Sequence, residues 1–274
     1  MLKNIFENVR NKHTLVHSIT NYVTVNDCAN ILLAAGAAPI MADDIREVKE
    51  ITAICSALAI NIGTLNERTI ASMIEAGKEA ARLGHPVILD PVGAGASALR
   101  TDTTFRLIDE VQFSVIRGNI SEIKTIARGT GTTRGVDADV SDAVTEENLS
   151  EAVRFVKEVS SQKKAVVAVT GAIDIVADAE KAYVIRNGHP MMSKITGTGC
   201  MLTVLTAAYC GANPGDILGA AAASVAAMGL CGEIAYKKTM EAQGGTGTFR
   251  IQLIDTMSNL DADTFQKGIK VEVM

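Results

Sequence analysis

The stretch ITGTGC at residues 195–200, followed by MLTVLTAAYCGA at 201–212, decides how this chain is read. Small, flexible residues stand immediately before an apolar run of helical composition. The backbone N–H groups of Gly197, Thr198, Gly199 and Cys200 then fall unpaired at a helix start. Such groups, together with the helix dipole, favour an anion. Glycine lets the backbone approach a ligand that a β-carbon would hold off. Cys200 is the first side chain in the stretch with chemistry of its own, at a position that favours a thiolate. A plain glycine turn capping a core helix would use the same residues, so the rest of the chain has to decide between the two.

The chain has 274 residues, 47% of them hydrophobic, with 23 glycines and no tryptophan. That is enough for a sizeable core, and small side chains suit tight packing of helices on a sheet. The net charge is −5 and no run of Lys or Arg is long, which argues against a nucleic-acid surface. A mildly acidic protein that holds phosphate needs local Arg or Lys, or a metal ion. The five cysteines (Cys28, Cys55, Cys200, Cys210 and Cys231) form no CxxC pair, and most sit on apolar faces. That fits a reducing compartment, and a cytoplasmic location is expected. MLKNIFENVRNK at the start reads as a mixed-charge helix and not as a signal peptide. The most apolar region, 215–236, is Ala-rich, holds three internal glycines and is bounded by Asp216 and Glu233; it reads as a buried core helix rather than a membrane span.

Working outward from 195–200, strands and helices alternate. A helix is expected over 2–12. HSITNY reads as polar loop, with Asn26 or Asp27 capping a helix that runs to Leu33 and ends at Gly36. AAPIM is a short buried strand to Met41, after which Asp43 and Asp44 open a helix. Further strands end at Gly63, Asp90, Arg117 and Thr170–Gly171, each followed by a loop and most by a helix. Residues 129–145 look like a Gly-, Thr- and Asp-rich surface excursion. AIDIVAD and KAYVIRNG form a late hairpin, and the loop 244–249, after which one final helix is expected, either lines a site or joins two helices. The pattern gives one α/β domain over 1–274: a mostly parallel central sheet, helices on both faces, and an antiparallel addition at one edge. In such sheets ligands bind beyond the carboxyl ends of the strands, which gathers Met41, Gly63, Asp90, Arg117, Thr170 and the 195–200 loop.

Several of these residues have two readings. Asp90, ending an apolar strand before Pro91, is a Mg²⁺ ligand or a loop cap. Asn119 and Glu122 share a helix face as a capping box, or Glu122 joins Asp90 at a metal. Arg117 offers a planar fork suited to phosphate. Thr170–Gly171 makes a turn or receives nucleotide phosphates, and Lys194 is a surface lysine or a phosphate partner. His17 is the candidate partner if Cys200 were half of a nucleophilic pair. The four histidines show no zinc spacing. A GxxxxGK[ST] loop is missing, and VGAGAS at 92–97 lacks the third glycine of a dinucleotide fingerprint.

Taken in order, SITNYV at 18–23, PIMA at 39–42, NIGTL at 61–65, DPVGAGAS at 90–97, RGNISE at 117–122, VTG at 169–171 and TGTGC at 196–200 resemble the hydroxyethylthiazole kinases. These belong to the ribokinase-like superfamily, and the resemblance runs from about residue 10 to the end. It implies a ribokinase-like three-layer sandwich and ATP-dependent phosphorylation of the primary alcohol of 4-methyl-5-(2-hydroxyethyl)thiazole in thiamine salvage. By position it implies Arg117 and Thr170, with Asn119, at ATP, and Asp90 and Glu122 around Mg²⁺. It implies Met41, Gly197 and Asn21 at the thiazole, and a homotrimer with sites between subunits. The wider superfamily ends the glycine loop with an aspartate base. Here the residue is Cys200, so the anion hole of Gly197, Thr198 and Gly199 and Mg²⁺ are expected to carry most of the catalysis, with Cys200 assisting or merely fitting. The alternatives are a related kinase acting on a hydroxymethylpyrimidine, a nucleotide-dependent hydro-lyase, a nucleotide-binding protein without turnover, and a cysteine hydrolase. Neither nucleic acid nor membrane is an expected partner.

Overall fold

The computed structural model describes residues 2–128 and 143–274, so the expectation for 129–142 lies outside the described residues. Six strands run parallel: β1 (Leu15–Ile19), β2 (Ala38–Ile40), β3 (Ala57–Asn61), β4 (Val87–Asp90), β5 (Val115–Gly118) and β6 (Val166–Val169). Three more, β7 (Asp174–Ala177), β8 (Ala182–Ile185) and β9 (Val271–Val273), extend the sheet antiparallel. The nine strands lie in the order β2-β1-β3-β4-β5-β6-β7-β8-β9.

Side chains alternate across the sheet, and the two faces bury two separate cores. Val16, Ala57, Ala59, Ile88, Val115, Val166 and Ala168 pack with α1 (Leu2–Lys12), α2 (Val25–Ala34), α8 (Thr198–Ala212), α9 (Ile217–Glu241), α10 (Thr246–Asn259) and α11 (Ala262–Gly268). Leu58, Ile60, Val87, Leu89, Ile116, Val167 and Val169 face α3 (Val48–Ile54), α4 (Glu67–Leu83), α5 (Ala98–Glu110), α6 (Ile120–Arg128) and α7 (Leu149–Lys163). The expected three layers are present. The alternation also fixes the site. Continuing Ala57, Ala59; Ile88; Val115; and Val166, Ala168 by two residues places Asn61, Asp90, Arg117 and Thr170 on the α8 side, at the carboxyl ends of their strands.

Helix α8 lies across β1, β3 and β4, and is apolar on all sides because it is buried on all sides. Helix α9 is long and apolar enough to cross a membrane, yet 83% of its most apolar window is buried inside the protein. It is the core helix expected from its alanines. The hairpin of β7 and β8 is also as expected. Asp178 Oδ1 accepts the N–H groups of Glu180 and Lys181 at 2.8 and 2.7 Å to close its turn.

Five expectations need correction. LVHSI is a strand and not polar loop, because His17 is fully buried and satisfied. Its Nε2–H donates to the Ala42 carbonyl at 2.8 Å, and Nδ1 accepts from the Thr52 hydroxyl at 2.8 Å. Burial pushes this imidazole's pKa down, and both ring nitrogens are taken by Thr52 and Ala42, so neither serves Cys200. Helix α2 is preceded by Thr24 without a side-chain cap, so neither Asn26 nor Asp27 caps it; Asp27 instead pairs with Arg250 of α10. Asp43 and Asp44 do not open a helix: Asp44 closes a turn with Arg46, and α3 starts at Val48. β2 is a half-buried edge strand rather than a buried one. The chain also does not end on one helix, since α11 and the edge strand β9 follow α10. In the loop 244–249, Thr246–Phe249 is the first turn of α10, so the stretch joins α9 to α10.

Phe6 of α1 is 3% exposed and stacks on Phe265 of α11 with ring centroids 4.7 Å apart. Its replacement leaves a cavity that rigid neighbours cannot fill. Phe6→Ala is expected to lower the unfolding free energy by about 3–5 kcal/mol in urea denaturation. A loss below about 1 kcal/mol would show that α1 is not held by this stack.

Candidate active site

Two strand ends and one helix converge on a single buried carboxylate. Asp90 ends β4 and is 1% exposed. The β3–β4 register sets Asn61 directly beside it. Asp90 Oδ2 accepts from Asn61 Nδ2 at 2.8 Å and from the Thr203 hydroxyl at 2.8 Å, and lies 3.5 Å from Arg117 Nη1. Among the described residues, nothing pairs with Asp90 Oδ1 or with Arg117 Nε. Burial raises the pKa of Asp90, and Arg117, Thr203 and Asn61 oppose that shift.

Helix α8 supplies the opposing wall. It begins after Gly197, which has φ +89° and ψ 1°, and no side chain caps it. A β-carbon at Gly197 would stand 2.7 Å from Thr24 Cγ2, so both the backbone angle and the space require glycine. The amides of the first turn belong to Thr198, Gly199 and Cys200, and the helix dipole adds to their pull on an anion. Arg117 lies against this turn: a β-carbon at Gly199 would meet its Nη1 at 2.6 Å. The same guanidinium donates to the Thr170 hydroxyl through Nη2 at 2.6 Å. Cys200 and Thr203, three apart, share the helix face that turns to β3 and β4. Cys200 Sγ accepts from Asn21 Nδ2 at 3.2 Å and from Asn61 Nδ2 at 3.3 Å.

Glu122 is tied down by backbone. Its Oε1 accepts from Gly93 N–H at 2.8 Å, and its Oε2 from Asn119 N–H at 2.8 Å. Glu122 N–H donates in turn to Asn119 Oδ1 at 2.9 Å, completing the capping box. Burial first, and then the nearby Asp90 charge, raise the pKa of Glu122. Among the described residues, no three His, Cys, Asp or Glu side chains gather closely enough to hold a metal alone. The donor set nevertheless fits Mg²⁺, which needs only one or two carboxylates beside substrate phosphates and water. Asp90 Oδ1 is a buried carboxylate oxygen without a protein partner, and Glu122 keeps spare acceptor capacity on both oxygens.

A cleft of about 740 Å³ opens from this corner, lined by Arg117, Asn119, Thr170 and Gly171, by Thr198 and Gly199, and by apolar Met192 and Met228 further along. Lys194 is exposed, in a 3-10 turn ahead of α8. Met41 follows β2 and packs on the same core cluster as Cys200. Of the strand-end residues, Asp90 and Arg117 lie at the helix start with Thr170 bonded to Arg117, and Asn21, which follows β1 in a segment read as loop, also reaches it through Cys200. Sequence reasoning missed Asn61 and Thr203. Asn61 carried one usable signal: it is a polar residue ending the apolar run ALAIN.

The fold class follows from the sheet and the site together. A ribokinase-like superfamily protein from Enterococcus faecalis superimposes with TM-score 0.62 at 12% identity, covering 95% of each chain. The architecture is the ribokinase-like three-layer sandwich. Within that class the chain belongs to the hydroxyethylthiazole kinase family, whose model matches residues 6–263. It is 59% identical over 272 residues to a hydroxyethylthiazole kinase of Clostridium acetobutylicum, covering 99% of both. A hydroxyethylthiazole kinase structure from Pyrococcus horikoshii OT3 superimposes with TM-score 0.87 at 32% identity, covering 100% of this chain and 98% of that one.

Two predictions follow from the geometry. In Gly199→Ala the new methyl group meets the flexible end of Arg117, so the helix survives while the guanidinium is displaced from Thr170. The thermal midpoint is expected to fall by a few degrees, because Nη1 also faces the buried Asp90, while kcat/KM for ATP of the folded variant falls about tenfold or more. Unchanged kcat/KM would separate Arg117 from nucleotide handling. The second concerns Asp174, at the start of β7 on the cleft wall, whose Oδ1 accepts from Gly171 N–H at 2.8 Å. Burial pushes its pKa up to about 7. The folded protein then holds a proton that the unfolded chain has released by about pH 4, so stability falls as pH rises from about 4 to about 7 and is level beyond. Asp174→Asn keeps the acceptor and removes this cost. Its gain in thermal midpoint over the parent is expected to be larger at about pH 8 than at about pH 5, and equal gains would contradict the shift.

Proposed function

We propose that this protein transfers the γ-phosphoryl group of ATP to the primary alcohol of 4-methyl-5-(2-hydroxyethyl)thiazole, in thiamine biosynthesis or salvage. The observation that carries the proposal is the uncapped start of α8, flanked by Arg117, at the inner end of the cleft and facing the buried Asp90. Family membership supplies the acceptor and the use of ATP.

In this reading Arg117, Thr170 and Asn119 hold the ATP phosphates. The amides of Thr198, Gly199 and Cys200, with Gly197 setting the turn, receive the charge on the transferred group. Asp90 and Glu122 would hold Mg²⁺, which would supply charge neutralisation for the ATP phosphates. Asn21 and the Gly197 backbone orient the thiazole, and Met41 packs against it. Cys200 stands beside the reacting oxygen and assists, while positioning and charge stabilisation supply most of the rate. The chain works as one domain. The active species is a homotrimer with sites between subunits, supported by the exposed pair Tyr22 and Val23 next to Asn21, at 78% and 59% exposure. The location is cytoplasmic, with no nucleic-acid or membrane partner.

The test is ADP release by the purified protein with ATP and Mg²⁺, comparing no acceptor, the hydroxyethylthiazole and a hydroxymethylpyrimidine. Release is expected to depend on the thiazole, with the pyrimidine near background. Release with the pyrimidine alone would overturn the substrate and keep the fold. ATP binding without release would overturn the kinase reading.

A further inference from the structure

Asn61 lies among the groups just assigned and has no role in that account. It is 3% exposed, at the end of a strand whose other residues are apolar. A buried carboxamide is costly unless its donors and acceptors are all used. Here they are. Oδ1 accepts from Gly63 N–H at 2.9 Å and from Asn21 Nδ2 at 3.0 Å. Nδ2 donates to Asp90 Oδ2 at 2.8 Å and to Cys200 Sγ at 3.3 Å. Two hydrogens and two lone pairs fill the capacity of the group. Its orientation is not free to invert: the Gly63 amide can only donate, so the atom facing it is the oxygen and the atom facing Asp90 and Cys200 is the nitrogen. Three of the four partners are side chains of the site, which distinguishes Asn61 from a residue that merely satisfies a strand end.

We propose that Asn61 is a positioning residue for the phosphoryl transfer, joining the Asp90 carboxylate of β4 to the Cys200 sulfur of α8 and so holding the strand-end acid and the helix start in one register. Its bond, with those of Thr203 and Arg117, fixes Asp90 by Oδ2 and leaves Oδ1 as the oxygen available to other groups. With Asn21, it gives Sγ two amide donors and turns the sulfur toward the acceptor side of the site. This inference rests on the kinase reading above.

The experiment uses Asn61→Asp, which is isosteric and retains both acceptor bonds while placing an anionic oxygen against Asp90 Oδ2 and Sγ. The expected result is a fall in kcat of about a hundredfold or more, with KM for ATP and for the alcohol within about threefold of the parent. A second readout needs no turnover. Cys200 is the one cysteine of the five that is not buried, so its alkylation by iodoacetamide at fixed neutral pH can be followed by mass spectrometry. That rate is expected to fall about fivefold or more in Asn61→Asp, because a donor to sulfur has become a negative charge. Asn61→Ser, which removes the amide without adding charge, decides the matter if the aspartate variant does not fold; it should lower kcat about tenfold and change the alkylation rate at least about twofold. A kcat within about twofold of the parent, or a lowered kcat with unchanged Cys200 alkylation in the folded variants, overturns the proposal. A parent protein that releases no ADP with the alcohol overturns the kinase reading instead, and the alkylation comparison then still judges the hold of Asn61 on Cys200.

Discussion

The site depends on the burial of one carboxylate. Removing Asp90 from water costs several kcal/mol unless its charge is matched by donors. Asn61, Thr203 and Arg117 all meet that need on Oδ2, and each comes from a different element. β3, β5 and α8 are therefore held in fixed relation to β4 by the group they bind. The arrangement is possible only because α8 can come down close on β1, β3 and β4, which its small residues allow. Breaking one partner would leave the charge uncompensated, so the cluster is as much a constraint on the fold as a device for chemistry.

On the proposed reading, the same geometry lets an acidic protein attract ATP. The net charge is −5, yet at the corner of the cleft the field comes from Arg117 and from the start of α8. Arg117 is placed there by strand alternation and kept there by Thr170. Glycine at 199 leaves room for its guanidinium against the helix backbone. Glu122, which would oppose an anion, has its carboxylate directed to the Gly93 and Asn119 amides. The two acids thus sit beside the proposed phosphate site without occupying it.

Much of this was legible in the sequence, for physical reasons that can be named. Apolar runs ending in Asp90, Arg117 and Thr170 were visible because strands buried on both faces are continuous in hydrophobicity, and the ends of such strands gather ligands. The glycines at 197 and 199 marked the helix start. Other features were hidden because they rest on tertiary partners. His17 and Ser18 made β1 look like loop, although the imidazole is satisfied by Thr52 and Ala42, far along the chain. The acids at 43 and 44 resembled a helix start, but Asp44 serves Arg46 in a turn. Thr203 gave no local sign of function and Asn61 only its place at the end of an apolar run, since their importance lies in what β4 and α8 bring to them. The choice between cap and metal ligand for Glu122 was left open by spacing, and the structure shows the capping contacts in full while leaving acceptor capacity beside them.

The central claim is that the start of α8 and Arg117 together receive the transferred phosphoryl group. A crystal structure of the protein with Mg²⁺ and a non-hydrolysable ATP analogue tests it most directly. The account predicts terminal phosphate oxygens within about 3 Å of the Thr198, Gly199 and Cys200 amides or the Arg117 guanidinium. A triphosphate bound with its terminal group away from that helix start would contradict it.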